Sequence, residues 1–267
     1  MSLPPPSFDL RACVVVPARD EETLIGGCLR ALATQSGVLP EEYEVLLVLD
    51  DCTDGTEARA REVAASYPYF RVRFLEGPGR GSGYARRTGM DAACARVFEV
   101  GRPEGLIAST DADTVVASDW LSVQLEAASA GASAIGGRID LADDGTLPQE
   151  ISRWHADRGR LRHEDLLSDP DTLGKTEHWQ FSGASLALTA ATYERVGGLQ
   201  PLTALEDEQL ERVLRHHGIP IDRLLSVRVT TSPRLVGRAK RGLSYDLSQI
   251  ADRLGQPVLG AEGRVLG

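Results

Sequence analysis

The chain has 267 residues, of which 42% are hydrophobic and 25% charged, so it can form a sizeable core and is not typical of a disordered protein. Its net charge of −10 argues against a general nucleic-acid-binding protein, because affinity for the phosphate backbone comes from clustered Lys and Arg. No segment approaches the ~20 apolar residues of a membrane span, and the first ten residues lack the order of a secretory signal. We therefore expect a cytoplasmic protein.

The first half of the chain alternates between short apolar runs and helical patterns. Apolar, β-branched runs predict strands at 12–16, 43–49, 72–75 and 106–109. Helices are expected from Asp20, from Asp54 and from about Gly83 to Phe98. Strands and helices that alternate in this way form βαβ units, so the first ~130 residues should form a mainly parallel sheet covered by helices.

The regularity weakens after Ile135. The polar stretch 140–179 predicts a helix and loops, and the segments that follow predict a strand at 185–188 and a helix at 192–196. A helix at about 204–216 and a strand at 225–230 complete the pattern. The tail after Gly255 is glycine-rich and is expected to be mobile.

Two carboxylates follow the fourth predicted strand. Asp111 and Asp113 are two residues apart, so in extended chain they point to the same side and can face one hard cation. Ligands of open α/β sheets bind outside the carboxyl ends of the strands, where this pair would lie. The alternative is a polar turn in which Asp113 or Ser118 caps the next helix.

Other acidic residues are predicted at the same edge. Asp50 and Asp51 end the second strand, so four carboxylates would converge and repel one another unless a cation or a hydrogen-bonding ligand compensates. A carboxylate in the loop 17–22 can accept hydrogen bonds from ribose hydroxyls. Acidic residues also favour a helix N-terminus, which is the alternative explanation for this loop.

Taken in order, the segments 15–22, 50–56, 81–87, 110–113 and 206–207 resemble the motifs of family 2 glycosyltransferases of the GT-A fold. The resemblance covers about residues 11 to 240. It implies an α/β fold of GT-A type, with a mainly parallel central sheet flanked by helices and a mixed C-terminal acceptor-side region. It also implies an N-terminal extension (1–10), one catalytic domain (11–235, divided into a nucleotide-binding half 11–130 and an acceptor-side half 131–235) and a partly mobile C-terminal segment (236–267).

The resemblance assigns the donor nucleotide to residues of the first half. These are Pro17, Ala18, Arg19, Glu21, Asp51, Asp111 and Ala112, with Arg86 or Arg87 on the base and phosphate side, although one of the two arginines should lie on a helix face. Asp113 is the expected direct ligand of Mg²⁺ or Mn²⁺. Asp111 is its partner, in the second shell of the metal or toward the ribose.

On the acceptor side, the resemblance makes Asp207 the catalytic base. Thr203 and Glu206 have the spacing of a capping box, so Glu206 can cap the helix while Asp207 points into the cleft. Gly183 and Ala184 are expected beneath the sugar and acceptor, and Trp179 can stack on a sugar or lie in the core. If Asp207 is not the base, the alternatives are Asp157, Asp165 and Glu177.

Basic residues gather between 228 and 241. An arginine suits a diphosphate, so Arg234 and Arg238 are expected to cover the donor diphosphate, with solvated surface charge as the alternative. The resemblance to family 2 implies metal-dependent, inverting transfer from a UDP- or GDP-linked sugar to an unidentified hydroxyl acceptor. The rival hypotheses are a nucleotidyltransferase that makes sugar nucleotides and a noncatalytic sugar-nucleotide-binding protein. A homodimer is left open.

Overall fold

The computed structural model describes residues 3–235, 237 and 241–255. Within these residues the strands are β1 (Ala12–Ala18), β2 (Tyr43–Leu49), β3 (Val72–Glu76), β4 (Leu106–Ser109), β5 (Thr114–Val116), β6 (Ala134–Leu141), β7 (Leu186–Thr189) and β8 (Asp222–Thr231). The helices are α1 (Ile25–Ala33), α2 (Thr56–Ser66), α3 (Ser82–Glu99), α4 (Trp120–Ser129), α5 (Gln149–Ser168), α6 (Ala190–Arg195), α7 (Glu206–His216) and α8 (Leu243–Arg253).

The strands form one sheet in the order β3-β2-β1-β4-β7-β6-β8-β5. Strands β1 to β4 are parallel, and Val14 at their centre pairs with Val45 and Ala108. Strand β7 runs antiparallel to both of its neighbours, β6 and β8 are parallel, and β5 is antiparallel to β8. The predicted α/β fold of GT-A type, with a mainly parallel sheet and a mixed C-terminal region, is confirmed.

Helices cover both faces of the sheet. As a result, the central strand β1 is buried along its whole length. Successive side chains of a strand point to opposite faces. Val14 and Val16 belong to a core cluster that includes residues of α1, α2 and α4. Val15 belongs to a second cluster that includes residues of α3, α6 and α7.

Glycine allows α3 to lie close to the sheet. A Cβ atom at Gly89 would come within 2.3 Å of Val15 Cγ1 and 2.9 Å of Val48 Cγ2. This close packing brings Arg86, about one turn earlier on α3, to the carboxyl end of β4, where it donates a hydrogen bond to Ser109 Oγ.

The C-terminal segment, expected to be partly mobile, contains a helix that the sequence analysis did not predict. Helix α8 packs against α5 through a separate apolar cluster of Ile151, Leu247, Ile250 and Ala251. Arg238 and the tail 256–267 lie outside the described residues. Among the residues that the structure describes, no helix combines the length and apolar character needed to cross a membrane.

Candidate active site

An open cleft of about 1690 Å³ lies at the carboxyl ends of β1, β2 and β4. This is the edge at which ligands of open α/β sheets bind. Most of the residues predicted to form a site line it: Pro17, Ala18, Arg19, Glu21, Arg86, Asp111, Ala112, Asp113, Trp179, Gly183, Ala184, Glu206, Asp207 and Arg234. Asp51 lies outside this lining.

The two acids that end β2 differ in their surroundings. Asp50 is buried, and its carboxylate accepts hydrogen bonds from the N–H groups of Gly79 at 2.7 Å and Gly81 at 2.8 Å. It therefore organises the glycine-rich turn between β3 and α3 (residues 77–83). The sequence pattern had implied that Asp50 adds uncompensated charge to the cleft. Asp51 is exposed, has a left-handed backbone (φ 59°) and pairs with Arg19 at 3.4 Å.

Asp111 and Asp113 face different cations of the protein. Asp111 Oδ1 lies 2.7 Å from Arg86 Nη2, and Asp113 Oδ2 lies 2.7 Å from Arg234 Nη2. Burial, with the nearby carboxylates of Asp111 and Glu21, raises the pKa of Asp113 to about 6, although Arg234 lowers it. The Asp113 carboxylate thus lies in a poorly solvated place and depends on an adjacent positive charge.

The carboxylates of Asp111 and Asp113 fit a divalent cation whose remaining ligands come from the substrate. Among the described residues, no group of three or more His, Cys, Asp or Glu is arranged to hold a metal ion. Mg²⁺, however, is commonly held by one or two carboxylates together with substrate phosphates. Asp113 and Asp111 supply such carboxylates. The guanidinium of Arg234 lies beside Asp113, so a positive charge already occupies this place in the protein.

The carboxylate of Glu21 is directed to Arg234, whereas the sequence analysis placed it on the donor nucleotide. Its two oxygens lie 2.9 and 2.7 Å from the two terminal nitrogens of Arg234. The backbone N–H of Glu21 donates to Thr56 Oγ1 at 2.7 Å, which ties the loop after β1 to the start of α2. Glu21 is only 4% exposed.

Arg86 is enclosed by acceptors of the protein, whereas we expected it to contact the base or phosphates. Its guanidinium donates to Glu206 (3.1 Å), Ser109 Oγ (2.5 Å), the carbonyl of Gly183 (2.9 Å) and Asp111 (2.7 Å). Burial lowers its pKa, but Asp111 and Glu206 more than offset this and raise the pKa above the ordinary value.

Arg87, the alternative to Arg86, lies on the surface of α3. It pairs with Asp91 at 2.7 Å and donates to the carbonyl of Leu199. Arg87 is therefore the arginine of the helix face, and Arg86 is the one that reaches the cleft.

Helix α7 starts differently from the prediction. It begins at Glu206 after Leu205, which has a left-handed backbone (φ 60°) and makes no side-chain cap, so the capping box of Thr203 and Glu206 does not form. Glu206 is 5% exposed and pairs with Arg86; burial raises its pKa, although Arg86 opposes this. Asp207 Oδ2 accepts a hydrogen bond from the N–H of Gly183 at 3.1 Å and lines the cleft.

Trp179, which was expected at the acceptor side, is half-buried. The guanidinium of Arg162 lies 4.7 Å from its ring centroid, and a Cβ atom at Gly159 would come within 2.7 Å of its Nε1. Trp179 lines both the main cleft and a second cavity of about 760 Å³. Of the alternative bases, Asp165 lines the cleft, whereas Asp157 and Glu177 do not.

Sequence reasoning missed two groups that position the acidic residues. Ser109 binds the guanidinium of Arg86, and the N–H of Ser232 donates to the carbonyl of Asp113 at 3.2 Å. The apolar run of β4 ends at Ser109, which was a usable signal. No signal pointed to Ser232, because its contact depends on β5, a strand of three residues.

Residues 13–183 match the family described as Glycosyl transferase family 2. Glycosyltransferase AglE of Haloferax volcanii is 27% identical over 128 residues, which are 48% of this chain and 38% of AglE. Mannosyltransferase PcManGT of Pyrobaculum calidifontis, solved with GDP-Man and Mn²⁺, has a TM-score of 0.61 and 20% identity, over 90% of this chain and 61% of that one. S. aureus TarS 1–349, solved with UDP-GlcNAc, has a TM-score of 0.58 and 16% identity, over 92% of this chain and 66% of that one.

The chain spans 38% of the length of AglE and 61% of that of PcManGT. At these identities, the likeness to the solved structures shows the fold, and the family match carries the assignment. Because that match covers more than half of the chain, this protein belongs to glycosyltransferase family 2.

Proposed function

We propose that the chain is a metal-dependent, inverting glycosyltransferase that uses a nucleotide-diphosphate sugar. The observation that carries this proposal is the placement of Asp111, Asp113 and Asp207 in one cleft at the carboxyl ends of the strands. The ligands in the two similar solved structures, GDP-Man and UDP-GlcNAc, support a GDP- or UDP-linked donor. Cytoplasmic location and a homodimer stay predictions from the sequence.

In this proposal, the donor lies along the loops after β1, β2 and β4. The nucleoside binds at Pro17, Ala18, Arg19 and Ala112, and Asp51 contributes from the rim. Asp113, with Asp111 as its partner, would hold Mg²⁺ or Mn²⁺ beside the diphosphate. The divalent ion, when bound, offsets the negative charge of the departing nucleoside diphosphate.

Arg234 supplies a second positive charge on the diphosphate side, and Arg238 is proposed to act with it. The acceptor lies over Gly183 and Ala184, with Trp179 beside it. Arg86 holds Asp111 and the start of α7 in place through buried hydrogen bonds. None of these contacts requires a covalent intermediate with the protein.

Asp207 removes the proton of the acceptor hydroxyl as its oxygen attacks the anomeric carbon. The carboxylate is held by the N–H of Gly183 on the floor of the cleft, where a hydroxyl group can approach it. A single displacement breaks the bond between the anomeric carbon and the diphosphate oxygen, so the anomeric configuration inverts. The proposal leaves the acceptor open beyond its hydroxyl group.

A panel of sugar nucleotides tests the donor class. UDP- and GDP-linked sugars are added with and without Mn²⁺, and the thermal unfolding midpoint is measured. A ligand at about 100 times its Kd should stabilise the native state by about 2.7 kcal/mol. The proposal fails if no sugar nucleotide stabilises the protein in Mn²⁺.

A second assay distinguishes the proposed glycosyltransferase from a nucleotidyltransferase. The protein is incubated with a sugar 1-phosphate and a nucleoside triphosphate, and pyrophosphate release is measured. We expect none, because the loop after β1 holds Pro17 to Glu22 in place of a glycine-rich loop with a basic residue. Release of pyrophosphate would favour the rival hypothesis.

A further inference from the structure

One arginine, Arg234, contacts two acidic residues that line the cleft, Glu21 and Asp113. Nη1 and Nη2 of Arg234 form a two-pronged pair with Glu21, and Nη2 also lies 2.7 Å from Asp113 Oδ2. The Arg234 side chain is 24% exposed, and those of Glu21 and Asp113 are 5% and 13% exposed. A single guanidinium therefore pairs with two poorly solvated carboxylates and offsets only part of their negative charge.

The fold places Arg234 at this point through strand pairing. Strand β5 begins directly after Asp113 and pairs with β8, so that Thr114 lies opposite Thr231. The N–H of Ser232 then donates to the carbonyl of Asp113. Two residues further on, the Arg234 side chain reaches Asp113 and Glu21. Backbone contacts of the preceding residues therefore set the position of Arg234.

We infer that Arg234 is the internal counter-ion of Asp113 and that a divalent cation bound to the donor diphosphate takes over this place. A guanidinium and a divalent cation that share one carboxylate oxygen repel each other. Arg234 must then leave Asp113 when the metal binds. The inference rests on the proposed function, because it concerns the proposed metal and diphosphate site.

Glu21 keeps the displaced guanidinium at the site. A buried carboxylate that loses its cation is strongly destabilised, so the pair of Glu21 and Arg234 persists while only the contact with Asp113 is exchanged. An arginine fork suits a phosphate as well as a carboxylate. One N–H of Nη2 stays on Glu21, and the N–H released by Asp113 turns to a phosphate oxygen. Glu21 thus acts as the positioning residue of Arg234.

This exchange gives Arg234 opposite effects on two ligands. Mn²⁺ alone must displace the guanidinium without offering it a new acceptor, so Arg234 weakens the binding of the free metal. A nucleoside diphosphate together with Mn²⁺ does offer an acceptor, so Arg234 strengthens that binding. An ordinary surface arginine would have little effect on either ligand.

The test measures Mn²⁺ alone, and then UDP and GDP in saturating Mn²⁺, by titration calorimetry at constant ionic strength. For Arg234→Gln we expect the affinity for Mn²⁺ alone to rise about tenfold and the diphosphate affinity in Mn²⁺ to fall about tenfold, which is within the usual range of coupling between ligands. Arg228→Gln is the matched control. It removes an exposed arginine of β8 that lies 3.8 Å from Asp119 and outside the cleft, and it should change neither affinity.

Arg234→Lys separates the two roles. A lysine keeps a positive charge for Asp113 but cannot hold Glu21 and a phosphate with one planar fork. Its affinity for Mn²⁺ alone should stay near that of the wild type, whereas its diphosphate affinity should fall. If Arg234→Gln does not fold, the double variant Glu21→Gln, Arg234→Gln removes both members of the buried pair and should also bind Mn²⁺ alone more tightly.

The outcomes distinguish this inference from the proposed function. Unchanged or weaker binding of Mn²⁺ alone to Arg234→Gln, with diphosphate binding intact in the wild type, would overturn the counter-ion role. If the wild type binds neither UDP nor GDP in Mn²⁺, the proposed function fails, and the titrations with Mn²⁺ alone still decide whether Arg234 competes with a cation at Asp113.

Discussion

Arg86 and Asp207 are joined through the backbone of one residue, Gly183. Its carbonyl accepts a hydrogen bond from Arg86 Nη1 at 2.9 Å, and its N–H donates to Asp207 Oδ2 at 3.1 Å. Arg86 also binds Asp111. The carboxylate expected beside the donor and the one expected beside the acceptor are thus connected by three consecutive contacts.

Gly183→Ala should disrupt this connection. A Cβ atom at position 183 would lie 2.4 Å from Arg86 Nη2 and 2.5 Å from Arg86 Cζ, so the buried guanidinium must shift. Overpacking of this kind typically costs about 1–3 kcal/mol. We expect a lower free energy of unfolding in urea. We also expect slower turnover, because relief of the clash shifts the backbone N–H of residue 183 relative to Asp207.

Gly27→Ala is the matched control for this substitution. A Cβ atom at Gly27, within α1, would meet only Val115 Cγ2 at 3.7 Å, which is ordinary van der Waals contact. Alanine should stabilise this helix by about 1 kcal/mol relative to glycine. Equal stabilities of the two alanine variants would contradict the proposed crowding at Arg86.

The first strands could be predicted from the sequence because they are parallel and buried on both faces. Such strands form continuous apolar runs, and β2 and β4 have the predicted bounds. Strand β6 was missed because Gly136 and Gly137 interrupt its apolar pattern. A Cβ atom at either position would come within 2.5 Å of a neighbouring segment, so glycine is required here by packing.

The acidic side of the site could also be predicted, but its partners could not. Asp111, Asp113 and Asp207 follow from strand ends and from the family motifs, and all three line the cleft. The arginines that hold them are set by contacts between distant parts of the chain, such as the pairing of β5 with β8. A sequence pattern shows that Arg86 and Arg234 are charged, but not that each lies against two carboxylates.

His178 should make stability depend on pH. Burial lowers its pKa to about 4, so the folded protein keeps the ring neutral, whereas the unfolded chain binds a proton below about pH 6.5. The contribution of neutral His178 to the free energy of unfolding is therefore fully present above pH 6.5. It is lost as the pH falls toward 4, by about 3 kcal/mol at most. Urea unfolding at several pH values measures this loss.

His178→Asn is the control for the pH series. An asparagine oxygen can replace Nδ1 as the acceptor for the N–H of Gln180, which lies 3.0 Å away, and it does not titrate. The variant should lose less stability than the wild type between pH 6.5 and pH 4. Parallel curves for the two proteins would show that other groups cause the pH dependence.

Asp113→Ala should abolish the effect of metal on nucleotide binding. In the wild type, Mn²⁺ should tighten binding of the preferred nucleoside diphosphate by about ten- to hundredfold relative to chelator. Without Asp113 the metal loses its proposed protein ligand and no longer links the diphosphate to the protein, so calorimetry in Mn²⁺ and in chelator should give similar affinities. Asp119→Ala removes an acid outside the cleft and should keep the metal effect. Equal wild-type affinities in both buffers would remove the metal from the mechanism.

Asp207→Asn should separate donor binding from transfer. Asparagine can still accept the hydrogen bond from the N–H of Gly183, so the floor of the cleft and the donor affinity should be retained. It cannot take a proton from a hydroxyl group at neutral pH. Loss of a general base typically slows turnover by about 10²- to 10⁴-fold. Turnover is measured as hydrolysis of the stabilising sugar nucleotide by water, which requires no acceptor.

Variants of two neighbouring residues are the controls for Asp207→Asn. Glu208→Gln changes an exposed carboxylate of the same helical turn that also lines the cleft but pairs with Arg212 at 3.3 Å, and it should leave turnover near that of the wild type. Glu206→Gln should instead lower stability, by about 1–3 kcal/mol, because Glu206 is buried against Arg86. If Asp207→Asn hydrolyses the donor at the normal rate, Asp207 is not the base. Asp165 would then be the next residue to test, because it lines the cleft whereas Asp157 and Glu177 do not.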